Sequence, residues 1–169
     1  MPGAISDSST LIHLARTGHL GLVREFYGDV VIPPAVWREV VEEGEGRPGA
    51  REVQHAAQAG WIRVVAPANT SLLRLLSRQL DDGEAEAIAL ALEHAPEVIL
   101  LDESDARRVA DVYGLPKSGV IGLLIRAKIA GKIASLRQEL DRLRRAGGFW
   151  VADDLCRRAL EAVGETEDG

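Results

Sequence analysis

Val98-Ile99-Leu100-Leu101-Asp102-Glu103-Ser104-Asp105 is the stretch that decides how this chain is read. Four apolar residues run without alternation into a carboxylate, and a second carboxylate follows three residues later, where a helix begins. A short, continuous apolar run bounded by turn signals is the pattern of a strand buried on both faces, as in a parallel sheet. Ligands of such sheets sit outside the carboxyl ends of the strands, so Asp102 is placed to point into a cleft.

Upstream, Ala4-Ile5-Ser6 reads as a second strand ending in an acid, Asp7, with the helix-capping residues Ser8, Ser9 and Thr10 behind it. Val30-Val31-Ile32 is a third strand, stopped by Pro33-Pro34, and a helix over about Ala35 to Glu43 carries Glu39. Trp61 to Val65 is expected to be another strand, at an edge of the sheet. Leu72 to Leu80 is amphipathic, Asp81-Asp82-Gly83 breaks the chain, and Glu84 opens a helix reaching His94. Downstream of the central strand come a helix through Tyr113, an apolar helical stretch over Val120 to Ile133, and a basic amphipathic helix ending at Gly147-Gly148. Phe149-Trp150-Val151 reads as a short terminal strand and Asp153 to Val163 as a last helix. Strands alternating with helices predict an α/β fold, a three-layer α/β/α sandwich around a mostly parallel central sheet, with some crossovers carrying two helices. One domain is expected over residues 1–163, with 164–169 as a disordered acidic tail.

Gly44-Glu45-Gly46-Arg47-Pro48-Gly49 matches G-x-G-x-x-G in form, but that fingerprint needs a strand before it, and here a helix precedes it. It is a loop. No apolar run approaches the length of a bilayer span, and the start of the chain shows no basic-then-apolar leader. The single cysteine, Cys156, leaves no internal disulfide framework and suits a reducing cytoplasm. Net charge is −6, yet ten Lys/Arg stand against three Asp/Glu between Arg107 and Gly147. An acidic site beside a basic flank attracts a polyanion held through bridging cations.

Asp7 and Asp102 both end predicted buried strands, and parallel topology puts those ends on one edge. Glu39 follows the strand at Val30, Glu84 precedes the central strand, and Asp105 begins the helix after it. Each acid has an ordinary reading: a cap for Asp7 and Asp105, a solvated face for Glu39, helix-terminus stabilisation for Glu84, a turn for Asp102. Taken together they form a cluster of oxygen ligands that repel one another unless a cation intervenes. Such ligands suit Mg²⁺ or Mn²⁺, which activate water and stabilise the oxygens of a phosphodiester. His13, His19, His55 and His94 show no metal-ligand spacing, and no G-x-S-x-G elbow or Cys pair exists, which argues against zinc or triad chemistry.

Ile5-Ser6-Asp7-Ser8-Ser9, Pro33 with Glu39-Val40, Leu80-Asp81-Asp82-Gly83-Glu84-Ala85-Glu86-Ala87-Ile88 and Leu100-Leu101-Asp102 with Ala106 follow one another in an order that resembles the PIN-domain family. Gly114-Leu115, Gly119, Gly122-Leu123-Leu124 and Ala127-Lys128 extend the likeness, which is to a VapC-like, poorly characterised prokaryotic branch. The resemblance implies a metal-dependent ribonuclease using Mg²⁺ or Mn²⁺, with Asp7, Glu39, Glu84 and Asp102 as catalytic metal ligands and Asp105 as an additional acid. Glu86 is the alternative to Glu84. It implies Ser8 as the hydroxyl beside the first aspartate, and a Thr or Ser where this chain has Val120, with Ser118 two positions earlier. It further implies single-stranded or structured RNA as substrate, a toxin's place in a toxin–antitoxin pair with an antitoxin protein as partner, a homodimer, a cytoplasmic location and no membrane. The alternatives are a catalytically inactive PIN-like scaffold binding RNA or a protein, and a phosphoacceptor domain in which Lys117 faces a phosphorylated Asp102.

Overall fold

The computed structural model describes residues 2–146, 149 and 151–166. Its centre is a five-stranded, wholly parallel sheet among those residues, formed by β1 (Ala4–Ser6), β2 (Val30–Ile32), β3 (Ile62–Val64), β4 (Val98–Leu100) and β5 (Lys117–Ser118) in the order β3-β2-β1-β4-β5. Chain order runs outward from β1 in one direction through β2 and β3, and in the other through β4 and β5. The reversal falls between β1 and β4, and this is where an open α/β sheet leaves a crevice at its carboxyl edge. Ser6 lies in register with Leu100, and the Asp7 amide donates to the Leu100 carbonyl at 3.1 Å, so Asp7 and Asp102 flank that crevice.

Alternation along the strands sends successive side chains to opposite layers. Ala4, Val30, Ile32, Val98 and Leu100 pack into one cluster, with α1 (Ser8–Arg16), α2 (Gly21–Tyr27), α4 (Ala50–Gln58), α8 (Val120–Ile129), α9 (Leu136–Ala146) and α10 (Asp153–Ala162). Ile5, Val31, Ile99 and Leu101 pack into the other, against α5 (Thr70–Leu76), α6 (Asp82–His94) and α7 (Ser104–Val112). This is the expected three-layer sandwich, and β1 to β2 and β3 to β4 each cross over through two helices. Among the described residues no helix is long and apolar enough to cross a membrane.

Three local readings change. The helix after β2 is α only over α3 (Pro34–Trp37); Arg38–Glu42 continues it as a π-helical turn, closed by the Glu43 amide on the Arg38 carbonyl at 2.7 Å. Such wide turns recur at functional sites because they re-aim the side chains they carry. β5 was not expected, since two polar residues after a proline carry no apolar signal. The strand expected at Phe149-Trp150-Val151 is not in the sheet: Phe149 and Val151 have no strand pairing, and Trp150 lies outside the described residues.

Of the acidic tail, Glu165 is held, while residues 167–169 lie outside the described residues. Its carboxylate accepts from the Leu136 amide at 2.7 Å and from the Ser135 hydroxyl at 3.0 Å, capping the start of α9 from the far end of the chain. Burial pushes this carboxyl upward, but those hydrogen bonds and Lys128 outweigh it and hold its pKa below the ordinary value. A depressed carboxylate stabilises above its unfolded pKa and ceases to do so as pH falls through the folded one. Glu165→Gln is therefore expected to cost about 0.5–2 kcal/mol at pH 7. In denaturant titrations the difference should vanish below the ordinary carboxylate range.

Candidate metal-binding active site

Asp7 is a helix cap and something more. Its Oδ1 accepts from the Thr10 amide at 3.1 Å, which is the ordinary capping role. Its Oδ2 is buried and has no hydrogen-bond partner among the described residues. A buried polar atom without a partner is costly, and a buried carboxylate that lacks one takes up a proton or a cation. Burial first, then the charges of Asp102 and Glu84, push the Asp7 carboxyl up to about 8 against the pull of the Thr10 amide. Only 2% of Asp7 is exposed.

Asp102 stands across the crevice with both oxygens held. Oδ2 accepts from the Thr10 hydroxyl at 2.6 Å and Oδ1 from the Val120 amide at 3.1 Å. Thr10 thus touches both aspartates, one through its amide and one through its hydroxyl. Where the resemblance expects a hydroxyl, Val120 offers its backbone N–H at the start of α8, and Thr10 supplies the hydroxyl from the opposite wall. Gly119 makes this geometry possible: a Cβ there would stand 2.5 Å from Asp102 Oδ1 and 3.1 Å from the Leu101 carbonyl.

Glu84 sits at the third position of α6 in a reciprocal cap, its amide donating to Asp81 Oδ1 at 2.9 Å and its Oε1 accepting from the Asp81 amide at 3.3 Å. Burial, followed by the Asp81 charge, pushes its carboxyl up to about 7. Glu84 acts electrostatically on Asp7, whereas Glu86 is raised chiefly by burial and feels the Ala35 amide, Arg38, Asp82 and Glu39. Of the two, it is Glu84 whose charge acts on Asp7, while Glu86 feels Glu39. Glu39, aimed by the π turn, is bound by the Ser8 hydroxyl at 2.6 Å and backs onto Gly83, where a Cβ would be 3.1 Å from Oε1. Asp105 is not brought in; its side chain is 71% exposed and pairs with Arg108 at 3.5 Å. Glu103, which the sequence reading passed over, is nearer, since it accepts from Ser9 at 3.4 Å and acts on Glu84. Lys117 makes its ion pair with Asp111 and none with Asp102 among the described residues.

Asp7 and Asp102, joined through Thr10, therefore flank the switch point, with Glu84 acting on Asp7 electrostatically and Glu39 held by Ser8. Among the described residues no three acidic, histidine or cysteine side chains converge as a ready metal cage. Mg²⁺ seldom needs one, because it keeps several waters and is held through one or two carboxylates plus substrate phosphates. The unpartnered Asp7 oxygen beside Asp102, in an all-oxygen donor set, fits such an ion.

A family model described as a PIN domain matches residues 3–165 of the chain. No curated protein matches it.

Two consequences are measurable. A carboxyl raised from 3.8 to about 8 weakens the metal-free fold as pH rises between those values, because ionisation is easier in the unfolded chain. Asp7→Asn keeps the capping oxygen and removes the charge. Above pH 8 in EDTA it is expected to melt roughly 2–10 °C higher than the native protein, with the gap closing toward pH 4. Added Mn²⁺ should raise the melting temperature of the native chain alone. Gly119→Ala is expected to displace Asp102, lowering Mn²⁺ affinity about 10–100-fold by calorimetry, as loss of a ligand-orienting contact does.

Proposed function

The chain belongs to the PIN-domain family, whose members are generally nucleases, and from that premise we propose that it is a metal-dependent endoribonuclease hydrolysing RNA phosphodiesters with water. The observation that carries the proposal is the Asp7 carboxylate, buried, half-unpartnered and facing Asp102 at the topological switch point. Asp7, Asp102 and Glu84 are the residues that would hold one or two Mg²⁺ or Mn²⁺ ions, with Glu39 at the periphery. When bound, such ions activate water and stabilise the attacking and leaving oxygens of an in-line displacement.

The chain's own groups have separable tasks. Thr10 fixes the Asp7–Asp102 pair at one spacing. Ser8 orients Glu39 and prevents it from swinging toward solvent. The Val120 amide and Gly119 keep Asp102 against the sheet edge. Glu84, held in its reciprocal cap with Asp81, adds a third carboxylate charge acting on Asp7. The excess of cations after Arg107 supplies long-range attraction for the polyanion.

The reading extends, on the VapC-like resemblance, to a cytoplasmic toxin that forms a homodimer and is neutralised by an antitoxin protein. The inactive scaffold is the competing outcome, in which the same cleft binds RNA without turning it over.

The test is cleavage of an end-labelled single-stranded RNA by the native chain and by Asp102→Asn, with Mn²⁺, with Mg²⁺ and with EDTA. Cleavage is expected with either metal, absent in EDTA and reduced more than about 100-fold in the variant, beyond what loss of an orienting contact costs. Equal cleavage by Asp102→Asn would remove the proposal, and metal-independent RNA binding with a steep salt dependence but no turnover would establish the scaffold. Thr10→Val, which keeps the shape and deletes the hydroxyl, is expected to lower the rate about 10–100-fold. Induced expression in a bacterial host should arrest growth with the native chain and not with Asp102→Asn if the toxin reading holds.

A further inference from the structure

One strand beyond Asp102, on the β5 side, the carboxyl edge opens into a cavity of about 450 Å³. Among the described residues its walls include Asp102, Arg107, Lys117, Ser118, Gly122 and Phe149. Two cations, a hydroxyl and an aromatic ring line it, beside an acid of the proposed catalytic cleft. We propose that this cavity is a nucleotide subsite, which takes the phosphate and base adjacent to the bond cut at Asp7 and Asp102. The inference rests on the nuclease reading for its substrate class.

The walls are built for the two halves of that ligand. Arg107 donates through Nη1 to the Leu101 carbonyl at 2.8 Å, which anchors the guanidinium beside Gly119 and leaves its remaining N–H groups to meet an anion. A planar guanidinium matches phosphate oxygens in pairs. Lys117, three-quarters buried, is tethered by Asp111 at the rim, so its charge is held in place before any ligand arrives. Gly122, in the cavity floor, lets the Ser118 hydroxyl lie against α8: a Cβ there would stand 2.6 Å from that oxygen. Phe149 packs against His13 in a T-shaped pair with ring centroids 4.7 Å apart. Aromatic faces bind bases of any identity by stacking, and an Arg-lined groove tracks the backbone. Asp102 belongs both to the wall of this cavity and to the proposed catalytic cleft, so a group held in the cavity lies directly beside the bond that is cut.

The experiment is a calorimetric and NMR titration of the full chain with adenosine 5′-monophosphate in EDTA, where no cleavage occurs. Saturable binding is expected, at least tenfold tighter than for adenosine or for inorganic phosphate. Gly122→Leu, which fills the floor, should weaken it at least tenfold, and Lys132→Gln, which removes a cation paired with Glu25 elsewhere, should leave it unchanged. If circular dichroism shows Gly122→Leu unfolded, Lys117→Gln takes its place with the same expected loss. No saturation up to about 10 mM, phosphate binding as tight as the nucleotide, or a filled floor that binds like the native chain would each overturn the subsite. The nuclease reading fails separately: a chain that binds the nucleotide but never cuts RNA keeps the subsite and loses the catalysis. A chain that cuts RNA without binding the nucleotide does the reverse.

Discussion

A carboxylate buried with one oxygen satisfied and the other bare is the constraint around which this molecule is arranged. Asp7 must lie where it does because β1 ends there and its Oδ1 starts α1. That leaves Oδ2 in the crevice between β1 and β4, facing two further acids. A protein interior tolerates such an atom only when a proton or a cation completes it. The fold thus builds a standing demand for a proton or a cation at the carboxyl edge of the sheet.

The neighbouring groups serve the fold and the site with the same bonds. Thr10 caps through its amide and bridges to Asp102 through its hydroxyl. Glu84 completes a capping box with Asp81 while charging the crevice. The Val120 amide begins a helix and holds Asp102. Removing any of them perturbs stability and ligand geometry together, so a variant's lost activity needs its folding measured beside it. The side of the site away from β1 is different. The cavity past Asp102 has its own cations and its own aromatic wall.

Glycines set the tolerances. At Gly119 a methyl group would meet the Asp102 carboxylate, and at Gly83 one would press on Glu39. Both are close approaches of backbone to a carboxylate, and both lie at the start of a helix that faces the crevice. The π turn at Arg38–Glu42 belongs to the same economy of space, since the wider turn carries Glu39.

Much of this was legible in the residues themselves. Unbroken apolar runs at Ile5, Val30 and Val98 mark strands buried on both faces, because only a parallel sheet covered by helices removes both faces from water. An acid directly after such a run must lie at the sheet's carboxyl edge, so Asp7 and Asp102 were identifiable as partners, and the order of acids carried the resemblance to PIN domains. Tertiary structure alone decided the rest. Strand order placed the reversal between β1 and β4, and local sequence does not encode which strands become neighbours. Whether an exposed-looking acid turns inward depends on what packs over it, which separates Glu84 from Glu86 and leaves Asp105 in solvent while Glu103 approaches. β5 escaped notice because an edge strand of two polar residues, Lys117 and Ser118, is held by pairing with β4 and not by its own hydrophobicity. Thr10 looked like one capping residue among three. Its hydroxyl acquires a role only when β4 brings Asp102 within 2.6 Å of it, from 92 positions away in the chain.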